Sequence, residues 1–300
     1  LKAGSVAATS DRAGAGRDDA RAAARAGDPE RYLAALLSPA EVQDDLLALA
    51  AFGAEIARIP HLVTEPMMGE IRLQWWRDIL PGLAEDAVTG NPVADALGLC
   101  VRRHGLPQGL ILGMLDARAF DLYADPMPDE QTFRAYLAKS EGALIELSLR
   151  VLGGWPPGTA ASAIVETGQA VGLVRVLASL PAMLAKGRCA LPATRLRSAG
   201  IEPGDLAAMP IGDPARRLVR SFHADARAAL AKVAAQWRRI PQRERAALLP
   251  AAMVEPQLRA LEHKSLHPGR DLAVVLPVTR VWRIWQAHAI GRILGGRRSV

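Results

Sequence analysis

The sequence predicts an all-α fold. Apolar residues recur at steps of three and four almost everywhere past residue 30, strand-like alternation of β-branched residues is scarce, and prolines and glycines cut the chain into helix-length segments. Half of the 300 residues are hydrophobic, enough for a sizeable core. Connections such as Gly153-Gly154-Trp155-Pro156-Pro157 are short, and no repeat or long linker separates two halves, so residues 29–300 read as one domain. Residues 1–28 read as a mobile N-terminal tail, because Ala, Gly, Arg and Asp dominate from Leu1 to Gly27 and little apolar surface there offsets the entropy of ordering.

Val42, Leu46, Leu49, Gly53 and Ile56 form the first stripe, opened by Ser38-Pro39 and expected to end by Ile59, before Pro60. Met68, Ile71, Trp75 and Ile79 form a second, which starts near Pro66 and stops at Pro81-Gly82. Further helices are expected over 92–104, 107–124, 129–152, 159–184 and 213–239. Two more are expected over 242–264, with a break near Pro250, and over 271–294, with a break near Pro277.

No signal-like segment and no run of about 20 uncharged apolar residues is present, which predicts a cytoplasmic protein. Cys100 and Cys189 lie far apart and are expected to be reduced thiols. The net charge of +6 comes mostly from arginines interleaved with acids, a pattern of solvated helix faces that argues against nucleic acid as a partner. Local basic runs at Arg216-Arg217 and Arg238 to Arg245 suit an anionic surface or partner.

Asp45-Leu-Leu-Ala-Leu-Ala-Ala-Phe52 resembles the helix that leads into the first aspartate-rich motif of the squalene/phytoene synthase family. Gly187-Arg-Cys-Ala-Leu-Pro192, followed by Gly200, resembles the stretch after that family's second such motif. The resemblance spans roughly residues 29–290. It implies an isoprenoid (terpenoid) synthase-like helical bundle around a central apolar cavity, in which two acidic helices hold magnesium against a prenyl diphosphate. Counted from these anchors, the first motif's positions carry Ala57, Arg58 and His61 and the second's Ser179, Ala182 and Met183, none a carboxylate. Mg²⁺ takes oxygen ligands, commonly carboxylates together with phosphates, so the expectation is no catalytic residue, no bound metal and no cofactor. Glu65 to Asp78, with Asp116 to Tyr123, resembles a divergent branch of the family found in bacteria and mitochondria, whose mitochondrial member is an assembly factor for respiratory complex I. That resemblance implies a pseudoenzyme that binds a partner protein, positioned peripherally at the inner membrane surface. The alternatives are a prenyltransferase condensing two prenyl diphosphates, with Mg²⁺ at an atypical site, and a carrier of an isoprenoid or other lipid.

Asp121 and Asp125 have the spacing of a metal pair, although Pro126 biases Asp125 out of a helix and Asp121 has Arg118 one turn away. His263 with His267, and Cys100 with His104, share helical faces without the carboxylate of a metal motif. Gly168, Gly172, Arg175 and Ser179 continue one side of a helix. They predict either close helix packing or a pocket wall on which Arg175, with Arg58 and His61, meets an anion directly. Trp75, Trp76 and Arg77 are candidates for partner binding, one tryptophan entering the core. Trp282 and Trp285 lie on a basic amphipathic segment with Arg280, Arg283, Arg292, Leu294 and Arg297-Arg298. That segment suits either docking on the core or the surface of an anionic membrane.

Overall fold

The computed structural model describes residues 16–85, 87–154, 161–291 and 293. Among these there is no strand, and Met127 and Pro192 meet only in an isolated parallel bridge, so the chain adopts the all-α class its periodicity predicts.

The N-terminal end differs from the expected tail. Residues 16–27 form helix α1, and α2 spans Pro29–Leu36, while residues 1–15 lie outside the described residues. Asp28 joins the two helices and caps α2, its side chain accepting from the Arg31 amide at 3.1 Å. Ala20 and Ala24 are buried despite their size, and Gly27 lies so close to Ala54 that an added Cβ would come within 2.5 Å of the Ala54 Cβ.

A 3₁₀ turn at Ala40–Val42 leads into α3, Gln43–Leu62, whose predicted stripe is buried throughout. The helix does not stop at Pro60. Its final carbonyls are taken up instead by cations from a distant loop: Lys186 Nζ donates to Pro60, His61 and Val63 at 3.2, 2.7 and 3.0 Å, and Arg188 donates to Pro60 and Thr64 at 2.8 and 2.9 Å. Helix α4, Pro66–Ala84, likewise runs past Pro81. Its inward face is Gly69, Leu73, Trp76, Leu80 and Leu83, whereas Met68, Ile71 and Trp75 of the predicted stripe face outward. The chain carries two apolar stripes here, and the one containing Gly69 wins because a glycine lets α4 settle onto Leu122.

Helices α5 (Pro92–His104) and α6 (Gln108–Phe120) follow. The predicted helix over 129–152 is continuous but has a π-turn, Ala138–Gly142, between α7 (Glu130–Leu137) and α8 (Ala143–Val151). Trp155, Pro156, Pro157 and Thr159 lie outside the described residues. Helix α9, Ala161–Leu184, packs along the π-turn and α11 (Asp213–Gln236) and continues through Pro181. By length and composition α9 could cross a membrane, but 67% of its apolar window is buried inside the fold, as in a core helix. The short α10 (Ala193–Ser198) precedes α11. The break expected near Pro250 is a 3₁₀ turn, Leu249–Met253, between α12 (Gln242–Leu248) and α13 (Val254–Leu261). The last helix, α14, begins only at Pro277 and ends at Ile290. Residues 272–276 before it are not helical, while Arg292, Leu294, Arg297 and Arg298 lie outside the described residues. Cys100 and Cys189 are buried and unpaired, and burial pushes both thiols above their usual range.

Candidate functional site

Helices α3 and α9 face each other across a cleft of about 150 Å³. From α3 it is lined by Ala57, Pro60 and His61, and from α9 by Gly172, Arg175, Ser179 and Met183. The positions counted as the family's two metal motifs therefore do meet in space. What lies between them is a charge network supplied by other elements.

Glycines make the network possible. A Cβ on Gly168 would lie 2.9 Å from the Gly142 Cα, and one on Gly172 would lie 2.8 Å from a Leu137 methyl. Gly168 against the Gly142 backbone and Gly172 against the Leu137 side chain seat the π-turn on α9, and the turn delivers Glu141 into the cleft beside Arg175. Glu141 meets Arg31 at 2.8 Å and both Arg118 and Arg175 at 3.5 Å. Asp28 bridges Arg31 at 2.7 Å and Arg175 at 2.8 Å. Asp121 closes the other end, accepting from Arg118 at 3.2 Å and from the Tyr136 hydroxyl at 3.0 Å, while Arg118 also reaches that hydroxyl oxygen at 2.8 Å.

Three guanidinium groups thus face three carboxyl groups. Burial opposes ionisation of Asp28, but the charges of Arg175 and Arg31 outweigh it and hold the carboxyl at about 2. Glu141 is lowered too, its burial overcome by Arg175, Arg31 and Arg118. Burial pushes Asp121 up, with Arg118 pulling the other way, and pushes the Tyr136 phenol up. His61, exposed at the rim, has its pKa lowered by partial desolvation, with Asp121 pulling the other way.

This donor set does not suit a magnesium cluster. Mg²⁺ needs free oxygens in octahedral array. Here α3 and α9 offer alanine, histidine, serine and methionine, while each carboxylate in the cleft already holds a guanidinium where a metal would have to stand. Among the described residues, no three His, Cys, Asp or Glu side chains are grouped to hold a metal.

Of the residues singled out from sequence, His61, Arg175, Ser179 and Asp121 line the cleft. Arg58 does not: it is exposed on the other side of α3, with Glu55 nearby. Arg175 meets internal carboxylates rather than presenting a free cation. Asp125 is exposed beyond the end of α6 and shares no site with Asp121, whose partners are Arg118 and Tyr136. His263 bonds Ser265 and His267 bonds the Ala208 carbonyl, so the two rings are engaged separately, and His104 pairs with Asp45 rather than with Cys100. Trp76 is a correction among the partner-binding candidates, since it is buried against Phe52 with ring centroids 5.0 Å apart. Arg77 is taken up by Glu70 and Asp116. Trp75, Trp282 and Trp285 are exposed. Sequence reading missed Asp28, Arg31, Tyr136, Glu141 and Lys186. The local signals were the pairs one helical turn apart, Arg118 with Asp121 and Asp28 with Arg31.

An all-helical bundle with two long helices facing across a central cleft is the isoprenoid-synthase class of fold. The family model described as squalene/phytoene synthase matches residues 24–280, and the chain belongs to that family. NADH dehydrogenase (ubiquinone) complex I, assembly factor 6, of Bos taurus is 28% identical over 266 residues, covering 86% of this chain and 80% of its own. The bifunctional protein CrtB/UppS of Streptomyces coelicolor is 36% identical over 183 residues, 59% of this chain and 31% of its own. A crystal structure of a dehydrosqualene synthase in complex with ligand superposes with a TM-score of 0.76 at 16% identity, over 93% of this chain and 98% of its own, and supports the fold alone.

Proposed function

We infer that this chain is a non-catalytic member of its family that works as a binding or assembly factor for a respiratory complex. The observation that carries the reading is the charge-closed cleft. Ionising a prenyl diphosphate requires cations to neutralise the leaving group. Here the cleft's three arginines are engaged by Asp28, Asp121 and Glu141, and the family's metal positions are empty of carboxylates. The size of the cleft, about 150 Å³, argues the same way, since pockets for ligands of drug size run from about 300 Å³. That shortage of space also counts against a lipid carrier. The similarity to complex I assembly factors supports the assembly role. A partner surface is available on α4, where Met67, Ile71 and Trp75 form an outward apolar stripe within the Glu65 to Asp78 signature.

The test has two arms. Purified protein given Mg²⁺ and farnesyl or geranylgeranyl diphosphate should release no diphosphate above a protein-free blank. Deleting the gene in its host should lower assembled complex I and its NADH oxidation, with restoration by the wild-type gene. Turnover at an enzyme-like rate, or unchanged complex I in the deletion strain, sinks the reading.

A further inference from the structure

Helix α14 docks on the fold through Ile284 and Ala287 and leaves its opposite side bare. On that side Val278, Val281, Trp282 and Trp285 follow at steps of three and four, all exposed, with the two indole rings stacked 5.3 Å apart. The segment before the helix extends the same surface. Leu272, Val274 and Leu276 point outward at alternate positions, 64%, 77% and 64% exposed, while Ala273 and Val275 pack on the core. So many large apolar side chains in one run exceed the scatter expected of a free surface.

Along the chain this band carries charge of one sign: from Leu272 to Gly291 there is no Asp or Glu, and Arg280 and Arg283 fall within the stretch, Arg280 being paired with Glu30 of α2 at 2.8 Å. A groove of about 340 Å³ runs between α13 and the segment ahead of α14, and Arg259 and Arg283 both line it beside Val274 and Leu276. Glu255, the groove's carboxylate, is divided between Arg227 and Arg259, each at 3.0 Å. Arg283 bonds Gln286 and the Ile293 carbonyl, but its Nε is buried without a partner. Burial, and after it the repulsion of Arg259, lower the affinity of Arg283 for its proton, with Glu255 pulling the other way.

We propose that the band of Val274, Leu276, Val278, Val281, Trp282 and Trp285 seats this protein on an anionic phospholipid bilayer, with a lipid phosphate entering the groove between Arg259 and Arg283. Tryptophans favour the headgroup level of a bilayer, an apolar face sinks into the acyl boundary, and arginines add attraction to anionic lipid. The groove shares no lining residue with the central cleft, and the seat does not depend on whether the cleft catalyses.

Flotation of the full chain with two vesicle types tests this: phosphatidylcholine alone, and equimolar phosphatidylcholine and phosphatidylglycerol. The protein should float with the anionic vesicles, float poorly with the neutral ones, and release as salt is raised. Trp282→Ser with Trp285→Ser should lower binding to anionic vesicles by about tenfold or more while leaving the melting temperature unchanged, because both side chains are exposed. Arg259→Gln with Arg283→Gln should lower the partition coefficient by about 30-fold, with most of the preference for phosphatidylglycerol lost. Failure of the wild type to float with anionic vesicles overturns the proposal without recourse to any variant. Equal binding to both vesicle types overturns it as well. So does a wild-type dimer that the tryptophan pair variant splits into monomers, since a second copy would then be the occupant.

Discussion

Asp28 shows how far one side chain can depart from the character of its surroundings in sequence. It ends a run of Ala, Gly, Arg and Asp that composition marks as unable to order, yet its carboxylate is fully buried between Arg31 and Arg175. Composition averages over a window, and a single ion pair with a partner 147 residues away leaves no trace in that average. Replacing one member of a buried pair is costly because the other charge stays behind. Asp28→Asn should therefore lower the unfolding free energy by about 3–5 kcal/mol, read from urea midpoints. The same carboxylate sets an acid limit. Its pKa falls from 3.8 when unfolded to about 2 when folded, so the ionised form is favoured in the native state. Its contribution is complete above pH 3.8 and disappears as pH drops towards 2. In wild type the urea midpoint should fall steeply across that window, and in Asp28→Asn the fall should be shallower. An equal acid slope in both proteins would show that Asp28 is not the group responsible.

At the scale of elements, helix periodicity was legible almost throughout, and the misreadings cluster at proline and glycine. Pro60 and Pro81 are expected from sequence to end their helices, yet α3 and α4 run through them, as α9 runs through Pro181 within the helix predicted over 159–184. A proline removes one amide donor and frees a carbonyl, and a helix survives this where neighbours take up its carbonyls. In α3 the carbonyl freed is that of Ile56, whereas Lys186 and Arg188, more than 120 residues away, cap the carbonyls from Pro60 onward at the helix end, a stabilisation no local rule could supply. This gives the Gly187-Arg188 stretch a structural role as the clamp between the ends of α3 and α9. Glycine works in the opposite direction. Gly168 and Gly172 were legible as a close-packing stripe, and the π-turn fills that space, which fixes where Glu141 points. Gly168→Ala drives a methyl against the Gly142 backbone, with no flexible side chain to give way. It should cost about 1–3 kcal/mol of stability by overpacking. Gly113→Ala on α6, where an added Cβ meets nothing within 4 Å, should not destabilise the protein. Comparing the two melting temperatures separates close approach from helix propensity.

For the whole molecule, the sequence supported the fold class and the meeting of α3 with α9, because both rest on stripes repeated over hundreds of residues and on motif anchors at each end. The contents of the cleft were legible only as an absence. Ala57, His61, Ser179 and Met183 stand where acids would be required, but the three arginines that replace the metal's charge come from α2, α6 and α9 and converge only in three dimensions. The consequence concerns ligand linkage. A protein that binds a ligand only when folded gains RT ln(1 + [L]/Kd), about 2.7 kcal/mol at a hundredfold excess over Kd. A family member that traps diphosphate through magnesium must therefore melt higher when both are present than when either is present alone. This chain should show no such synergy. Its arginines are already neutralised, so a diphosphate would have to displace Asp28 or Glu141 and leave that carboxylate buried without a partner. Melting temperatures with Mg²⁺ alone, with a non-hydrolysable prenyl diphosphate alone and with the two together should agree. A rise confined to the mixture would show that the metal reaches oxygen donors in the cleft and that the arginines yield to it.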